Sequence, residues 1–246
     1  ETIANGKYTV TRLIGRGGGG AVYEARQTTL DKRVALKVLD PELAHDDTLV
    51  KRFLREARTA TRVEHENVVQ LFDLGSTGTG TAYIAMELLK GEPLSELILR
   101  EGPLPWRRAK TIALQICRAM HVAHAASVIH RDLKPDNCFR IKRGANADFI
   151  KLLDFGLAKV FGDATNPFGS LSNVGTTFGT PEYMAPEQCE GEPADHRVDV
   201  YALGIIVYEL LTGTVPFPLE GNNFIDVLDG HVERTPAPPS THVGED

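Results

Sequence analysis

The stretch that decides the fold lies at residues 130–137, which read HRDLKPDN, and continues to DFG at residues 154–156. Together the two motifs contain three carboxylates, one carboxamide and two cations. A core segment cannot bury so many polar groups alone, because an unpaired buried charge is very costly. Asp132 and Lys134 suit the handling of a hydroxyl proton and of phosphate charge, and Asn137 and Asp154 suit divalent cations. The stretch therefore predicts a site for a phosphate-bearing ligand and metal ions.

The two motifs resemble the catalytic loop and the metal-binding motif of the protein kinase family, H-R-D-L-x-x-x-N and D-F-G. The resemblance implies a bilobal α+β fold. Its N-terminal lobe, over residues 1–89, would hold an antiparallel sheet, one helix and the glycine-rich ATP-binding loop. Its mainly helical C-terminal lobe, over residues 90–246, would hold the catalytic loop and the activation segment. The run FLREA at residues 53–57 and the Pro-rich stretch at residues 235–240 are similar to the bacterial eukaryotic-like serine/threonine kinases.

Length, charge and cysteine content limit the classes of protein to which the chain can belong. The 246 residues suffice for one large domain or two lobes that share a core. The balance of 27 basic and 33 acidic residues, net charge −6, argues against a dedicated nucleic-acid binder. Three cysteines without a C-x-x-C pattern indicate neither a disulfide framework nor a zinc site, which favours a reducing, cytoplasmic compartment.

The sequence contains no candidate membrane segment. No apolar run approaches the roughly 20 residues that a membrane span needs, and no signal peptide is recognisable. The chain begins with Glu1 rather than methionine, so we expect the native ends to lie elsewhere. Membrane anchoring through a region outside this chain stays open.

Residues 8–39 alternate between apolar and polar side chains and predict three antiparallel strands joined by hairpins. The first hairpin contains GRGGGGAV at residues 15–22, which fits G-x-G-x-x-G-x-V. Glycines let the backbone approach phosphates closely. A merely flexible turn and a Rossmann loop are the alternatives. Because the chain continues from Tyr23 as a strand and not as a helix, the pattern favours the kinase interpretation.

The segment VALK at residues 34–37 matches the V-A-I-K strand of the family. The resemblance implies that Lys37 binds the α- and β-phosphates of ATP; a solvated strand lysine is the alternative. Residues 49–63 predict a helix that places Glu56 at the position of the family's helix glutamate, which implies an ion pair between Glu56 and Lys37. Local surface pairs with Arg52 or Arg55 are the competing interpretation.

The hinge between the lobes is predicted after the strand at residues 81–88. By resemblance, Met86 is the gatekeeper, and the backbone of Glu87 and Leu89 binds adenine; Met86 also suits a plain core position. The resemblance assigns the remaining ATP-binding positions to the glycine loop and the apolar walls: Ile14, Gly15, Gly17, Gly20, Val22, Ala35, Phe139 and Leu153.

The resemblance also assigns roles in the reaction. Asp132 would orient the substrate hydroxyl and accept its proton, while Lys134 would steady the γ-phosphoryl group. Asn137 and Asp154 would hold Mg²⁺, with Mn²⁺ as the alternative metal. Lys134, together with Thr180, resembles serine/threonine kinases and not tyrosine kinases. The expected activity is ATP-dependent phosphorylation of serine and threonine hydroxyls on protein substrates.

Histidines on the predicted helix at residues 106–126 raise the alternative of a metal cluster. His121 and His124 lie three residues apart and near His130, but the segment contributes no carboxylate and leads directly into the catalytic loop. We therefore expect His130 to be a packed structural histidine.

Residues 156–185 lack periodic structure, and such long loops are usually functional. By resemblance they form the activation segment, which closes with GTPEYMAPE at residues 179–187. Arg131 would receive a phosphate there and so order the loop. Autophosphorylation is expected in this segment, with candidate sites at Ser170, Ser172, Thr176 and Thr177, of which the two threonines are favoured.

Three further expectations follow from the resemblance. Asp199 would brace the catalytic-loop backbone from the start of the apolar helix at residues 198–211. One or two more C-terminal helices would be expected, with an arginine that pairs with Glu187. A homodimer for trans-autophosphorylation is plausible, although no residue establishes it.

Two other functions compete with an active protein kinase. A pseudokinase would bind nucleotide without turnover, but it usually lacks Lys37, Asp132, Asn137 or Asp154, and all four are present. A small-molecule kinase would not be expected to carry the Ala-Pro-Glu run at residues 185–187.

Overall fold

A six-stranded antiparallel sheet forms the first part of the chain. The computed structural model describes residues 2–4, 6–17, 19–77, 80–155, 180–221 and 223–242. The sheet has the strand order β1-β2-β3-β4-β6-β5. Its strands are β1 (Thr2–Ile3), β2 (Tyr8–Gly17), β3 (Gly20–Gln27), β4 (Lys32–Leu39), β5 (Leu71–Ser76) and β6 (Ala82–Glu87). The three hairpin strands predicted for residues 8–39 are confirmed.

One helix, α1 (Asp47–Ala60), packs on this sheet. It starts earlier than predicted because the Asp46 carboxylate caps it, accepting hydrogen bonds from the backbone N–H groups of Thr48 at 2.8 Å and Leu49 at 3.4 Å. Phe53 and Ala57 are the buried residues of the helix, and they join the apolar residues of the sheet in one cluster. Burial of this face holds α1, and with it Glu56, beside the sheet.

The second part of the chain is mainly helical. Its helices are α2 (Leu94–Glu101), α3 (Trp106–Ala125), α4 (Pro186–Cys189), α5 (Arg197–Thr212) and α6 (Phe224–Glu233). A small antiparallel sheet of β7 (Gly91–Pro93), β8 (Cys138–Arg143) and β9 (Asn146–Leu152) accompanies them. The bilobal α+β fold class is therefore confirmed. The predicted boundary between residues 89 and 90 falls in the connection from β6 to β7 and stays a prediction.

The largest core cluster lies between α3 and α5 and extends to the catalytic loop. It includes Ile112, Ile116 and Ile206, and also Leu133 and Phe155 from the two decisive motifs. The apolar residues of these motifs are thus fixed by core packing, whereas Asp132 and Lys134 between them are partly exposed. No helix among the described residues is long and apolar enough to span a membrane.

Residues 67–70 connect the six-stranded sheet to β9. The backbone N–H of Val69 donates to Leu152 O at 2.9 Å, and that of Leu152 donates to Asn67 O at 2.7 Å. The buried Asn67 amide also donates to Ile150 O at 2.6 Å. Because β9 ends two residues before Asp154, these bonds fix the position of the metal-binding motif relative to the sheet.

A carboxylate ties three strands of the large sheet together. A single oxygen of Asp73, Oδ2, accepts hydrogen bonds from Lys7 Nζ and Tyr8 Oη at 2.8 Å and from Tyr83 Oη at 3.1 Å. Burial disfavours the charge of Asp73, but these hydrogen bonds outweigh it and lower the pKa of the carboxyl. The same contact, with burial, raises the pKa of Tyr83 to about 12.

Replacing this carboxylate tests its contribution to stability. We expect Asp73→Asn to lower the free energy of unfolding by about 1–3 kcal/mol, because charge-assisted hydrogen bonds are lost at a partly buried position. Denaturant unfolding of the two proteins measures the difference. Asp31→Asn is the matched control: its 73% exposed side chain pairs only with Arg26 in the described structure, so a change below about 0.5 kcal/mol is expected. Equal effects of the two substitutions would contradict the assignment.

Candidate active site

The catalytic loop is held by one buried carboxylate at the start of α5. Asp199 is 1% exposed and accepts hydrogen bonds from the backbone N–H of His130 at 2.9 Å and of Arg131 at 2.8 Å. Nε2 of His124 lies 2.8 Å from the same carboxylate. The bracing role predicted for Asp199 therefore has a geometric basis. Arg131 adopts a φ of 67°, a left-handed conformation that these contacts help to maintain.

His130 is packed, as predicted. Its side chain is fully buried, Nε2 lies 2.9 Å from Leu153 O, and the ring packs at 4.7 Å on Phe155. This histidine therefore joins the HRD loop to the DFG motif.

Asp132, Lys134 and Asn137 lie together. Lys134 Nζ is 3.1 Å from one carboxylate oxygen of Asp132, and Asn137 Nδ2 donates to the other at 3.0 Å. Asn137 Nδ2 also donates to Asp132 O at 2.7 Å. The Asp132 carboxylate is thereby oriented, and the side-chain carbonyl oxygen of Asn137 is left for a cation.

Lys37 pairs with Asp154 and not with Glu56, which corrects the expected ion pair. Lys37 Nζ lies 2.8 Å from Asp154 Oδ2, and Glu56 Oε1 lies 3.0 Å from Arg55 Nη2. The reason is electrostatic: the largely buried ammonium group of Lys37 takes a close carboxylate, and Glu56 takes the guanidinium next to it in α1. A metal ion at Asp154 would compete with Lys37 for the charge of this carboxylate.

The donor set in this region fits a magnesium ion. Carboxylate and carboxamide oxygens are the ligands that Mg²⁺ prefers, and Asp154 and Asn137 supply them. The backbone joins them, because Leu153 N–H donates to Asn137 O at 2.9 Å. Asp154, two residues after β9, has a φ of 56°, in the left-handed region of backbone conformation.

Most of the predicted apolar walls belong to one cluster. Ala35 and Met86 are buried opposite each other on β4 and β6, and Val22, Leu89 and Leu153 pack against the same cluster. Of the other two wall residues, Ile14 is half exposed on β2, and Phe139 lies on β8. A cavity of about 20 Å³ behind Met86 reaches Asp154 and Phe155, so Met86 is both a core residue and a pocket residue.

The glycine hairpin has the expected register. Gly15 faces Val22 and Gly17 faces Gly20 across β2 and β3, and Val22 faces Lys37 across β3 and β4. Gly20 requires glycine, since its φ is 140° and a Cβ there would lie 2.1 Å from Val38 O. Phosphate-binding residues predicted from separate motifs are thus neighbours in one sheet.

At the hinge, the Glu87 side chain is occupied. Its Oε2 lies 2.8 Å from Lys151 Nζ, and its backbone N–H donates to Gln70 O at 2.9 Å. A contact of Glu87 with adenine would therefore have to use its carbonyl oxygen.

Two contacts that attach the segment from Thr180 to α4 to the rest of the structure could not be predicted from the sequence. Tyr183 Oη donates to Glu209 Oε2 at 2.7 Å, which attaches the segment after Thr180 to α5. Gln188 Nε2 lies 3.4 Å from Arg131 O and attaches α4 to the catalytic loop. The candidate phosphorylation sites Ser170, Ser172, Thr176 and Thr177 lie outside the described residues, as do Gly156 and Gly179 of the flanking motifs.

His231, on α6, contacts α5 and Phe217. Its Nδ1 lies 2.8 Å from Tyr201 Oη, and its ring packs edge-on to Phe217 at 5.1 Å. Burial lowers the pKa of His231 to about 4, and the charge of Arg234 acts in the same direction.

The depressed pKa makes a pH-dependent prediction. In the unfolded chain, this histidine has a pKa near 6.5. Between about pH 6.5 and pH 4, the unfolded chain therefore binds a proton that the folded chain does not bind. The folded state loses stability as the pH falls through this window. We expect the fall in unfolding free energy from pH 7 to pH 4 to be larger in the wild type than in His231→Gln, by up to about 3 kcal/mol. His121→Gln, at an exposed position on α3, should leave the pH profile unchanged. Parallel profiles for wild type and His231→Gln would refute the assignment.

Comparison with known proteins agrees with this geometry. Residues 8–239 match the family model described as the protein kinase domain. The chain is 45% identical over 240 residues to serine/threonine-protein kinase pkn3 of Myxococcus xanthus, covering 98% of this chain and 43% of that protein. It is 39% identical over 238 residues to serine/threonine-protein kinase PknA of Mycobacterium tuberculosis, covering 95% of this chain and 53% of that protein.

A third relative is the probable serine/threonine-protein kinase PknB of Corynebacterium glutamicum, 36% identical over 242 residues, with 97% of this chain and 36% of that protein covered. The chain spans between about a third and a half of the length of these relatives. Because the family model covers nearly all of it and the HRD and DFG motifs meet in one site, the chain belongs to the protein kinase domain family.

Proposed function

We propose that this chain transfers the γ-phosphoryl group of ATP to serine and threonine hydroxyls of protein substrates. The observation that carries the proposal is the Asp132 carboxylate, oriented between Lys134 and Asn137, with Asn137 hydrogen-bonded through its backbone to the residue before Asp154. Two of the relatives are named as serine/threonine-protein kinases, which supports the substrate class. Residues 1–89 would mainly bind nucleotide, and residues 90–246 would supply the catalytic loop and activation segment.

Phosphoryl transfer depends on alignment and on charge stabilisation more than on covalent chemistry. In the proposed step, the substrate hydroxyl oxygen forms a bond to the γ-phosphorus while the bond to the β–γ bridging oxygen breaks, which yields ADP. The hydroxyl proton passes to Asp132. Lys134, 3.1 Å from that carboxylate, would contact the γ-phosphoryl oxygens.

Asn137 and Asp154 would hold Mg²⁺, which neutralises phosphate charge when bound. Lys37 would then exchange Asp154 for the α- and β-phosphates, since the ion pair at 2.8 Å and a metal ion compete for the same carboxylate. Mn²⁺ suits the same oxygen ligands.

Arg131 would receive a phosphate from the activation segment. Its buried Nε has no hydrogen-bond partner among the described residues, and burial lowers the pKa of its guanidinium, with Glu56 and Asp199 opposing. A buried cation in need of an anion suits phosphothreonine, and Thr176 and Thr177 are the proposed sites.

A transient homodimer would allow one copy to phosphorylate the other. We place the activity in the cytoplasm, where ATP and protein substrates are available.

The role of Asp132 is tested by Asp132→Asn. The substitution keeps the shape of the side chain but removes the proton acceptor, so turnover should fall by about 10²–10⁴-fold, the usual contribution of general base catalysis. ATP affinity should be unchanged, because Asp132 contacts the hydroxyl and not the nucleotide. Peptide phosphorylation and nucleotide titration measure the two quantities.

Asp229→Asn, at an exposed position on α6, is the control and should retain full activity. Undiminished turnover in Asp132→Asn would refute the assignment. Binding of ATP without turnover in the wild type would favour a pseudokinase, in which the Lys37–Asp154 pair is never exchanged.

The phosphate role of Arg131 makes a separate prediction. Preincubation with Mg-ATP should raise wild-type activity toward an added peptide, and should do so far less in Thr176→Ala/Thr177→Ala and in Arg131→Gln. Combining all three substitutions should cost no more than Arg131→Gln alone, since both ends of one interaction are removed. Additive losses would show that the arginine and the threonines act separately. Ser170→Ala/Ser172→Ala is the matched loop control.

A further inference from the structure

Six charged side chains form a closed ring on the part of the structure that follows the hinge. Each arginine pairs with two carboxylates and each carboxylate pairs with two arginines. Representative distances are 2.7 Å for Arg100–Glu92, 3.1 Å for Arg100–Glu101, 2.7 Å for Arg108–Asp148, 3.1 Å for Arg140–Asp148 and 2.6 Å for Arg140–Glu92, and the Arg108–Glu101 pair closes the ring. The ring joins β7, β8, β9, α2 and α3 and has no net charge.

The ring leaves its carboxylates fully engaged. Hydrogen bonds from Arg100 and Arg140 hold the pKa of Glu92 at about 2 against the effect of burial. Asp148 likewise has a lowered pKa because of Arg108 and Arg140. Each carboxylate of the ring is therefore already paired, so the ring offers none to a further cation nearby.

Two such cations lie directly beside it. The antiparallel register of β7 and β8 pairs Glu92 with Arg140 and Gly91 with Ile141. Continued by one residue, it places Lys90 opposite Lys142. Both lysines are exposed, and neither makes an ion pair within the part of the chain that the structure describes. Like charges directly opposite each other on neighbouring strands are destabilising.

These lysines border an open groove of about 510 Å³. Its lining includes Lys90 and Lys142, which make no ion pair among the described residues, and Arg100 and Arg140, which the ring already neutralises; Ile141 and Ala147 add apolar surface. The excess of positive charge is local, because the whole chain carries a net charge of −6. The groove is thus complementary to an anionic ligand that also has apolar groups.

We propose that this groove, formed by β7, β8 and the end of α2, docks an acidic segment of a partner protein. Carboxylates of the segment lie between Lys90 and Lys142 and relieve their repulsion, and its apolar side chains pack on Ile141. A peptide suits the groove better than a single small anion, since the volume far exceeds one phosphate group and part of the lining is apolar. Its aspartates and glutamates supply the recognition, so the interaction weakens with salt.

The test uses a short fluorescein-labelled peptide rich in glutamate and leucine, without serine, threonine or tyrosine, and measures fluorescence anisotropy with no nucleotide present. Binding to the wild-type chain at low salt is expected, and Lys90→Glu/Lys142→Glu should weaken it by at least about tenfold. The matched control is Lys51→Glu/Lys110→Glu, which changes the net charge equally at exposed positions on α1 and α3 and should leave binding within about twofold.

Equal loss in both double variants would overturn the proposal, because net charge alone would then explain binding. Complete displacement of the peptide by inorganic phosphate at equal concentration would also overturn it, since that result describes a small-anion site. Failure of the wild-type chain to bind the peptide at low salt would refute it outright. None of these outcomes depends on phosphoryl transfer, so the docking surface and the proposed function are tested separately.

Discussion

The active site depends on the buried carboxylate of Asp199. It accepts both backbone N–H groups at His130 and Arg131 and contacts His124, so the loop that carries Asp132 is fixed to α5. An ionised group that is 1% exposed requires such partners, because burying it unpaired would cost several kcal/mol. The loop satisfies this requirement in a conformation that includes the left-handed backbone of Arg131. The position of the loop that carries Asp132 therefore depends on the hydrogen bonds to this buried carboxylate.

The structure holds the cationic and anionic groups of the site in a resting arrangement. Lys37 neutralises Asp154, Glu56 is paired with Arg55, and the charge of Glu56 also acts on Arg131. These are the charges that a nucleotide, a metal ion and a phosphate would otherwise satisfy. In the proposed function, the ligands replace these internal ion pairs.

Local sequence pattern predicted the three hairpin strands and α1, and the family resemblance predicted the assembly of Asp132, Lys134 and Asn137 and the bracing position of Asp199. The Lys37 partner was predicted wrongly, since two carboxylates compete for it and the choice depends on side-chain positions. The contacts of His124 with Asp199, of Tyr183 with Glu209, and the ring of arginines and carboxylates were not found. Such contacts join distant segments of ordinary charged residues, and no local spacing marks them.

The ring contacts the β8–β9 hairpin, and Asp199 contacts the catalytic loop that precedes it, so both parts of this segment are tied to neighbouring helices. The central claim is that this site transfers phosphate to hydroxyl side chains. It is tested most directly by incubating the wild-type chain with a generic protein substrate and γ-labelled Mg-ATP and identifying the labelled amino acids. We predict acid-stable phosphoserine and phosphothreonine, absent when the divalent cation is chelated. Labelled phosphate on tyrosine alone, or no labelled amino acid although ATP binds, would contradict the claim.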